Sequence, residues 1–246
     1  ETAYSGGTGG PGRRRTAELA EATRELASRL GSPHLDGLSV TVAAIAAFLQ
    51  GRWREARESC ERGEGIFRDR CTGVAWELAS AQFFGLGARY YLGEIGELSA
   101  RVPELLREAE ARGDLYRATG LRSWRTNAAW LALDDPDAAR FQVGEATRRW
   151  TRQGFHLQHY YEVFSLCQID LYAAEPEQAY ARIDATFGEL RRSMLLRIQN
   201  VRVESHYLRA RAALAVSANR GTDPALLRSA ERDARRLERE GMSWTE

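Results

Sequence analysis

Four segments of the chain carry a small or apolar residue at relative positions 0, 3, 7, 10 and 14. They are Trp53, Ala56, Cys60, Gly63, Phe67; Ile95, Leu98, Val102, Leu105, Ala109; Pro136, Ala139, Val143, Ala146, Trp150; and Pro176, Ala179, Ile183, Thr186, Leu190. The starts at 53, 95, 136 and 176 lie 42, 41 and 40 residues apart. Spacings of three and four keep every member on one face of a helix. Between these segments runs a second set of stripes: Leu35, Leu38, Val42, Ile45, Leu49; Leu121, Trp124, Ala128, Leu131; Leu157, Tyr160, Phe164, Cys167, Leu171; and Leu195, Ile198, Val201, Ser205, Leu208. A looser fifth copy follows at Leu227, Ala230, Ala234 and Leu237, and Leu19, Ala22, Leu26 and Leu30 predict a helix near the start.

The punctuation fits helix pairs. Gly51, Gly93, Asp134-Asp135-Pro136 and Glu175-Pro176 interrupt each pair, with proline in the first turn, where its missing N–H costs nothing. Gly31, Gly113, Gly154 and Gly241 fall where a left-handed helix cap favours glycine. The expected fold is all-α, an α-solenoid of antiparallel helix pairs with a period near 41. Residues 13–246 form a single helical-repeat domain, with pairs near 33–71, 72–113, 114–154, 155–193 and 194–241. Residues 1–12, rich in Gly, Ser and Thr, are expected to be a linker. The opening Glu1 and the close at Glu246 suggest a segment cut from a longer protein. Such repeats bury one stripe within a pair and another against the next pair.

The 246 residues are 43% hydrophobic and 28% charged, which excludes disorder. The 35 basic residues, all arginine, nearly cancel 34 acidic ones, so nucleic acid and anionic membranes are not expected partners. No uninterrupted apolar stretch is long enough to span a bilayer. Three cysteines outside any CxxC pattern suit a reducing cytoplasm.

The junction from Gly51 through Trp53 and Ala56 to Cys60 resembles the tetratricopeptide signature, with elongated spacing; Gly93 with Ile95 and Pro136 with Ala139 echo it. The strings Arg68–Glu77, Gly154–Tyr161 and Leu195–Gln199 are similar to the C-terminal helical-repeat region of large bacterial serine/threonine protein kinases. That resemblance implies a non-catalytic part of a signalling protein, flanked in the parent chain by kinase and NTPase domains. It transfers no active site, since the phosphate loop, His-Arg-Asp and Asp-Phe-Gly motifs do not occur here.

Candidate chemistry is thin. His156 and His159 lie one helical turn apart and would need further ligands, such as Glu162 or His206, to hold zinc. Cys60 and Cys167 sit in apolar stripes and read as core thiols, while Cys71 lies at a junction. Gly6–Gly10 lacks the Gly-Lys-Ser/Thr ending of a phosphate loop. Asp134, Asp135 and Asp137 are explained by a helix start. Trp76, Trp124, Trp130 and Trp150 are expected as core anchors. No catalytic set, metal or cofactor is expected. Polar residues on the first helices of the pairs, Arg122, Arg125, Asn127, His156, His159, Gln199, Asn200 and Arg202, are the candidates for a groove that grips a protein or peptide partner. The expected function is recruitment or autoregulation. The alternatives are a small-molecule sensor on the same fold and, less favoured, an enzyme built on His156, His159 and Cys167.

Overall fold

The computed structural model describes residues 12–148, 150–151, 153–221, 223–242 and 245. The linker assigned to residues 1–12 lies, Gly12 apart, outside the described residues, as does the glycine run at 6–10. Among the described residues every regular element is helical. The α-helices are α1 (Arg13–Leu30), α2 (Pro33–Leu49), α3 (Trp53–Arg70), α4 (Ala75–Leu92), α5 (Ile95–Ala111), α6 (Leu115–Arg122), α7 (Ala128–Leu131), α8 (Pro136–Thr147), α9 (Leu157–Tyr172), α10 (Pro176–Arg192), α11 (Gln199–Arg220) and α12 (Pro224–Glu238). Short 3-10 turns occupy Trp124–Asn127 and Leu195–Arg197. Two compact units emerge, the first closing at Glu94 and the second formed by Ile95–Gly241.

In the first unit α2 packs on α3, α3 on α4, and α2 also on α4. Ala56, Cys60, Gly63 and Phe67 bury one face of α3. The partner face of α2 differs from the stripe read off the sequence. Leu35, Leu38, Val42, Ile45 and Leu49 are only half-buried, whereas Gly37, Thr41, Ala44 and Phe48 are buried. Backbone proximity is the reason. A Cβ on Gly37 would stand 2.6 Å from the Phe67 ring, and one on Gly63 would stand 2.4 Å from Thr41 Oγ1. The two helices approach so closely that small residues must occupy the seam, and the branched side chains are displaced to its flanks. One other expectation is overturned: Trp76 is 63% exposed. The helix expected at Leu19, Ala22, Leu26 and Leu30 is present as α1, with Leu26 and Leu30 facing outward. Thr16 and Ala27, on the other side of α1, are buried, and α1 packs on α2.

In the second unit α5 packs on α6 and α7, α6 and α7 each pack on α8, and from α8 to α12 each helix packs on the next, with α9 also touching α11 directly. The expected stripes of α5, α8 and α10 are buried: Leu98, Val102, Leu105 and Ala109; Ala139, Val143 and Ala146; Ala179, Ile183, Thr186 and Leu190. Asp135 caps α8 by accepting from the Ala138 amide at 2.8 Å, which accounts for the acidic run there.

The stripe Leu121, Trp124, Ala128, Leu131 predicts one continuous helix, and the structure breaks it. Ser123 is extended and Trp124 is left-handed at φ 60°. Breaking a helix orphans carbonyls. Here local side chains recapture them. Ser123 Oγ donates to Thr119 O at 2.8 Å, Thr126 Oγ1 lies 2.8 Å from Gly120 O and 2.6 Å from Ser123 O, and Asn127 Nδ2 donates to Arg122 O at 2.9 Å. The sequence Ser-Trp-Arg-Thr-Asn thus carries its own replacement for the lost helical bonds.

Candidate functional site

The break aims Trp124 and Arg125 into the interior of the second unit. The Trp124 ring stacks on Tyr161 with centroids 4.5 Å apart, and the Arg125 guanidinium carbon lies 3.2 Å from the Trp124 ring centroid. The Trp124 amide donates to Ser165 Oγ at 2.6 Å. The Arg125 side chain is 0% exposed and pairs at 2.8 Å with Glu204, itself 5% exposed. The same carboxylate accepts from Tyr160 Oη at 3.0 Å and from Trp124 Nε1 at 3.2 Å. Arg125 also donates to Asn200 Oδ1. Burial pushes the Tyr161 phenol up, opposed by Arg125, so it stays protonated beside the ion pair. A buried charge needs both a counter-ion and hydrogen bonds, and this cluster supplies both from α9, α11 and the 3-10 turn.

The eight residues expected to line a groove therefore divide. Arg125, Asn127, Gln199 and Asn200 are enclosed in the fold rather than presented on a surface. Asn127 bridges Arg122 O and, at 3.1 Å, Ala139 O. Gln199 and Arg202 come together on Glu240: Gln199 Nε2 donates to its carboxylate at 3.1 Å, and Arg202 Nη2 does so at 2.6 Å. Burial would raise the Glu240 carboxyl, but the hydrogen bonds from Arg202 and Gln199 outweigh it and hold it low. The pair thereby ties the chain just after α12 to the start of α11. Arg122 reaches Gln142 at 3.0 Å and pairs with Glu110. His156 and His159 do lie together, with ring centroids 5.6 Å apart, and they serve the start of α9. The His156 amide donates to His159 Nδ1 at 2.9 Å, and His156 Nε2 lies 2.8 Å from Gln153 O. Each therefore commits one ring nitrogen to the turn, and among the described residues no group of three or more His, Cys, Asp or Glu is placed to hold a metal.

Cys60 and Cys167 are buried, and desolvation pushes each thiol up to about 12 against the pull of a nearby arginine. Both are held as thiols at neutral pH. Cys71 is half-buried.

Two clusters escaped the sequence. Asp170, fully buried, is clamped by Arg140 on one oxygen and by Arg182 at 3.1 Å on the other. Asp233, also fully buried, accepts from His206 at 2.8 Å and from Arg209 at 2.7 Å. Burial raises the Asp233 carboxyl, yet Arg209 and His206 more than offset it and hold it at about 2. Nothing in the sequence separates these carboxylates from the other thirty-odd, because their partners come from 12 to 30 residues away. A cleft of about 280 Å³ is lined by Glu110, Asp114, Leu115, Ala118, Arg122 and Glu145, among others. No helix among the described residues is long and apolar enough to cross a membrane. Comparison with protein-family models, with curated proteins and with solved structures returned no match.

Proposed function

We propose that the chain is a non-catalytic interaction module, an α-solenoid of antiparallel helix pairs that presents a helical face to a peptide or protein partner. The observation that carries this reading is packing at two steps: α2 meets α4 and α9 meets α11, with α3 and α10 set against both. Stacked hairpins follow that contact rule, and their first helices form one continuous face. The chemistry-bearing groups are already engaged within the fold. The histidine pair closes a helix start, two thiols are protonated and buried, and the Arg125–Glu204 ion pair is enclosed. Similarity to the helical-repeat region of bacterial serine/threonine kinases supplies the context we propose, recruitment or autoregulation within a cytoplasmic signalling protein. Panning a phage-displayed library of random short peptides on the purified chain tests the reading. An enriched consensus whose synthetic form binds with about micromolar affinity supports it; no enrichment over a control protein refutes it.

A second reading, a small-molecule sensor, is favoured by the cleft of about 280 Å³ beside α6. Three carboxylates and one arginine around Leu115 and Ala118 suit a small organic cation. Polyamines and amino-acid amides that raise the melting temperature of the chain, and fail to do so for Glu110→Gln, would select it.

A further inference from the structure

Resting on the interaction-module reading, we propose that the open face of α11 around Arg211 docks a peptide segment that carries an acidic side chain with an apolar neighbour. Tyr207, Arg211 and Leu214 share one face of α11 at spacings of four and three. Tyr207 is 53% and Leu214 50% exposed. Arg211 is half-buried between them, and its orientation is fixed from two sides. Its Nη1 donates at 3.0 Å to Gln168 Oε1 across on α9, and its guanidinium carbon lies 5.5 Å from the Tyr207 ring centroid.

The charge around it sets Arg211 apart. Within the second unit the half-buried Arg140, Arg182, Arg202 and Arg209 each hold a carboxylate: Asp170 for the first two, then Glu240 and Asp233. Arg211 rests on a neutral amide and a neutral ring, and no carboxylate among the described residues stands within 4.0 Å of it. A guanidinium carries five N–H donors in a planar fork. With one donor spent on Gln168, the fork retains a side that takes a carboxylate bidentately. Partial burial and a fixed plane remove part of the ordering cost that a free surface arginine would bear. In this proposal the complementary charge is the partner's.

The flanking residues define what accompanies that charge. Tyr207 and Leu214 are seven residues apart, about 10 Å along the helix. An extended peptide covers that distance in about three residues. An acidic residue on Arg211 thus places side chains one or two positions away over Tyr207 or Leu214, both of which are apolar and open.

Sequences enriched from the random phage library are synthesised with a fluorescent label, each in its native form and with every Glu or Asp changed to Gln or Asn. Binding is measured by anisotropy on the wild type, Arg211→Gln, Arg211→Lys and Leu214→Ser, with near-ultraviolet circular dichroism and melting temperature confirming that each variant is folded. The proposal expects an acidic residue beside an apolar one in the consensus. It expects amidation of that residue to weaken binding about tenfold or more, the range of a charge-assisted bidentate contact. Arg211→Gln should erase the difference between acidic and amidated peptides, Arg211→Lys should restore part of it, and Leu214→Ser should weaken both forms alike. Equal binding of the two forms, or an Arg211→Gln variant that discriminates as the wild type does, overturns the assignment. A consensus without an acidic residue overturns it too and leaves the interaction module standing, whereas a library with no enrichment removes both.

Discussion

Replacing Glu204 by glutamine keeps the shape of the side chain and removes its charge from a place where water cannot compensate. The Arg125 side chain is 0% exposed and Glu204 5%. At a separation of about 4 Å and an effective dielectric of about 20, the attraction lost is about 4 kcal/mol. Breaking a buried pair by removing one partner costs about 3–5 kcal/mol, because the other charge is left behind. The two routes agree. The neutral amide still accepts from Tyr160 or Trp124 through its carbonyl but cannot serve both of them and Arg125, so part of the three-donor arrangement around Glu204 is lost as well. Arg125→Met should cost a similar amount, since it strands the carboxylate. The double variant Arg125→Met, Glu204→Gln removes both charges and should cost less than the sum of the two single variants, giving a coupling energy of about 2 kcal/mol or more. In urea, a slope of about 2 kcal/mol per molar turns a 4 kcal/mol loss into a midpoint shift of about 2 M. The assay is urea unfolding followed by near-ultraviolet circular dichroism, which reports the stacked Trp124 and Tyr161. Single variants within about 1 kcal/mol of the wild type would refute the claim that this pair is desolvated and mutually dependent.

Gly63→Ala should destabilise by about 1–3 kcal/mol through overpacking against Thr41, whereas Gly65→Ala, two residues along the same helix with nothing within 4 Å, should stabilise by about 0.5–1 kcal/mol; thermal unfolding of the two variants reads the sign directly. Acid should weaken the α11–α12 contact. The Asp233 carboxyl, depressed to about 2 from 3.8, contributes stability that is complete above pH 3.8 and is lost as pH falls towards 2. Asp233→Asn should flatten that part of the stability curve and cost about 2 kcal/mol at neutral pH. Of the three thiols, Cys71 alone should react promptly with Ellman's reagent, and Cys60 and Cys167 should follow only on denaturation; prompt titration of all three would contradict their burial.

The helix pairs were legible because small residues recur at intervals that only a helix places on one face. Ala56, Ala139 and Ala179 are each fully buried, and each sits at the same step of the repeat. Hydrophobicity was a poorer guide than size. In α2 the large aliphatic residues drew the eye, yet Gly37, Thr41 and Ala44 make the tight contact, because hydropathy alone does not reveal how closely two backbones approach. The break at Ser123 was hidden by a stripe that continues through it in register. Its signal was the run Ser123, Thr126, Asn127, three short side chains able to bind the backbone in place of a continuing helix. Arg125 and Asn200 read as surface groups because sequence shows a charge but not its counter-ion, and Glu204 is 79 residues from Arg125. Arg211 carries no mark in the sequence for the same reason: its distinction is the carboxylate it lacks among the described residues, a property of the packed chain.

The seam between α2 and α3 has a consequence for how this sequence can change over time. Gly63 lies against the hydroxyl of Thr41, and Gly37 against the ring of Phe67. Any substitution at either glycine adds at least a Cβ and collides with the residue opposite, so a single step there carries an overpacking cost of about 1–3 kcal/mol. That cost falls once the opposing residue has shrunk, Thr41 to alanine, which removes the hydroxyl in the way, and Phe67 to something narrower. Descendants of this chain should therefore vary at 41 and 63, and at 37 and 67, as coupled pairs in which one member grows only when the other has receded.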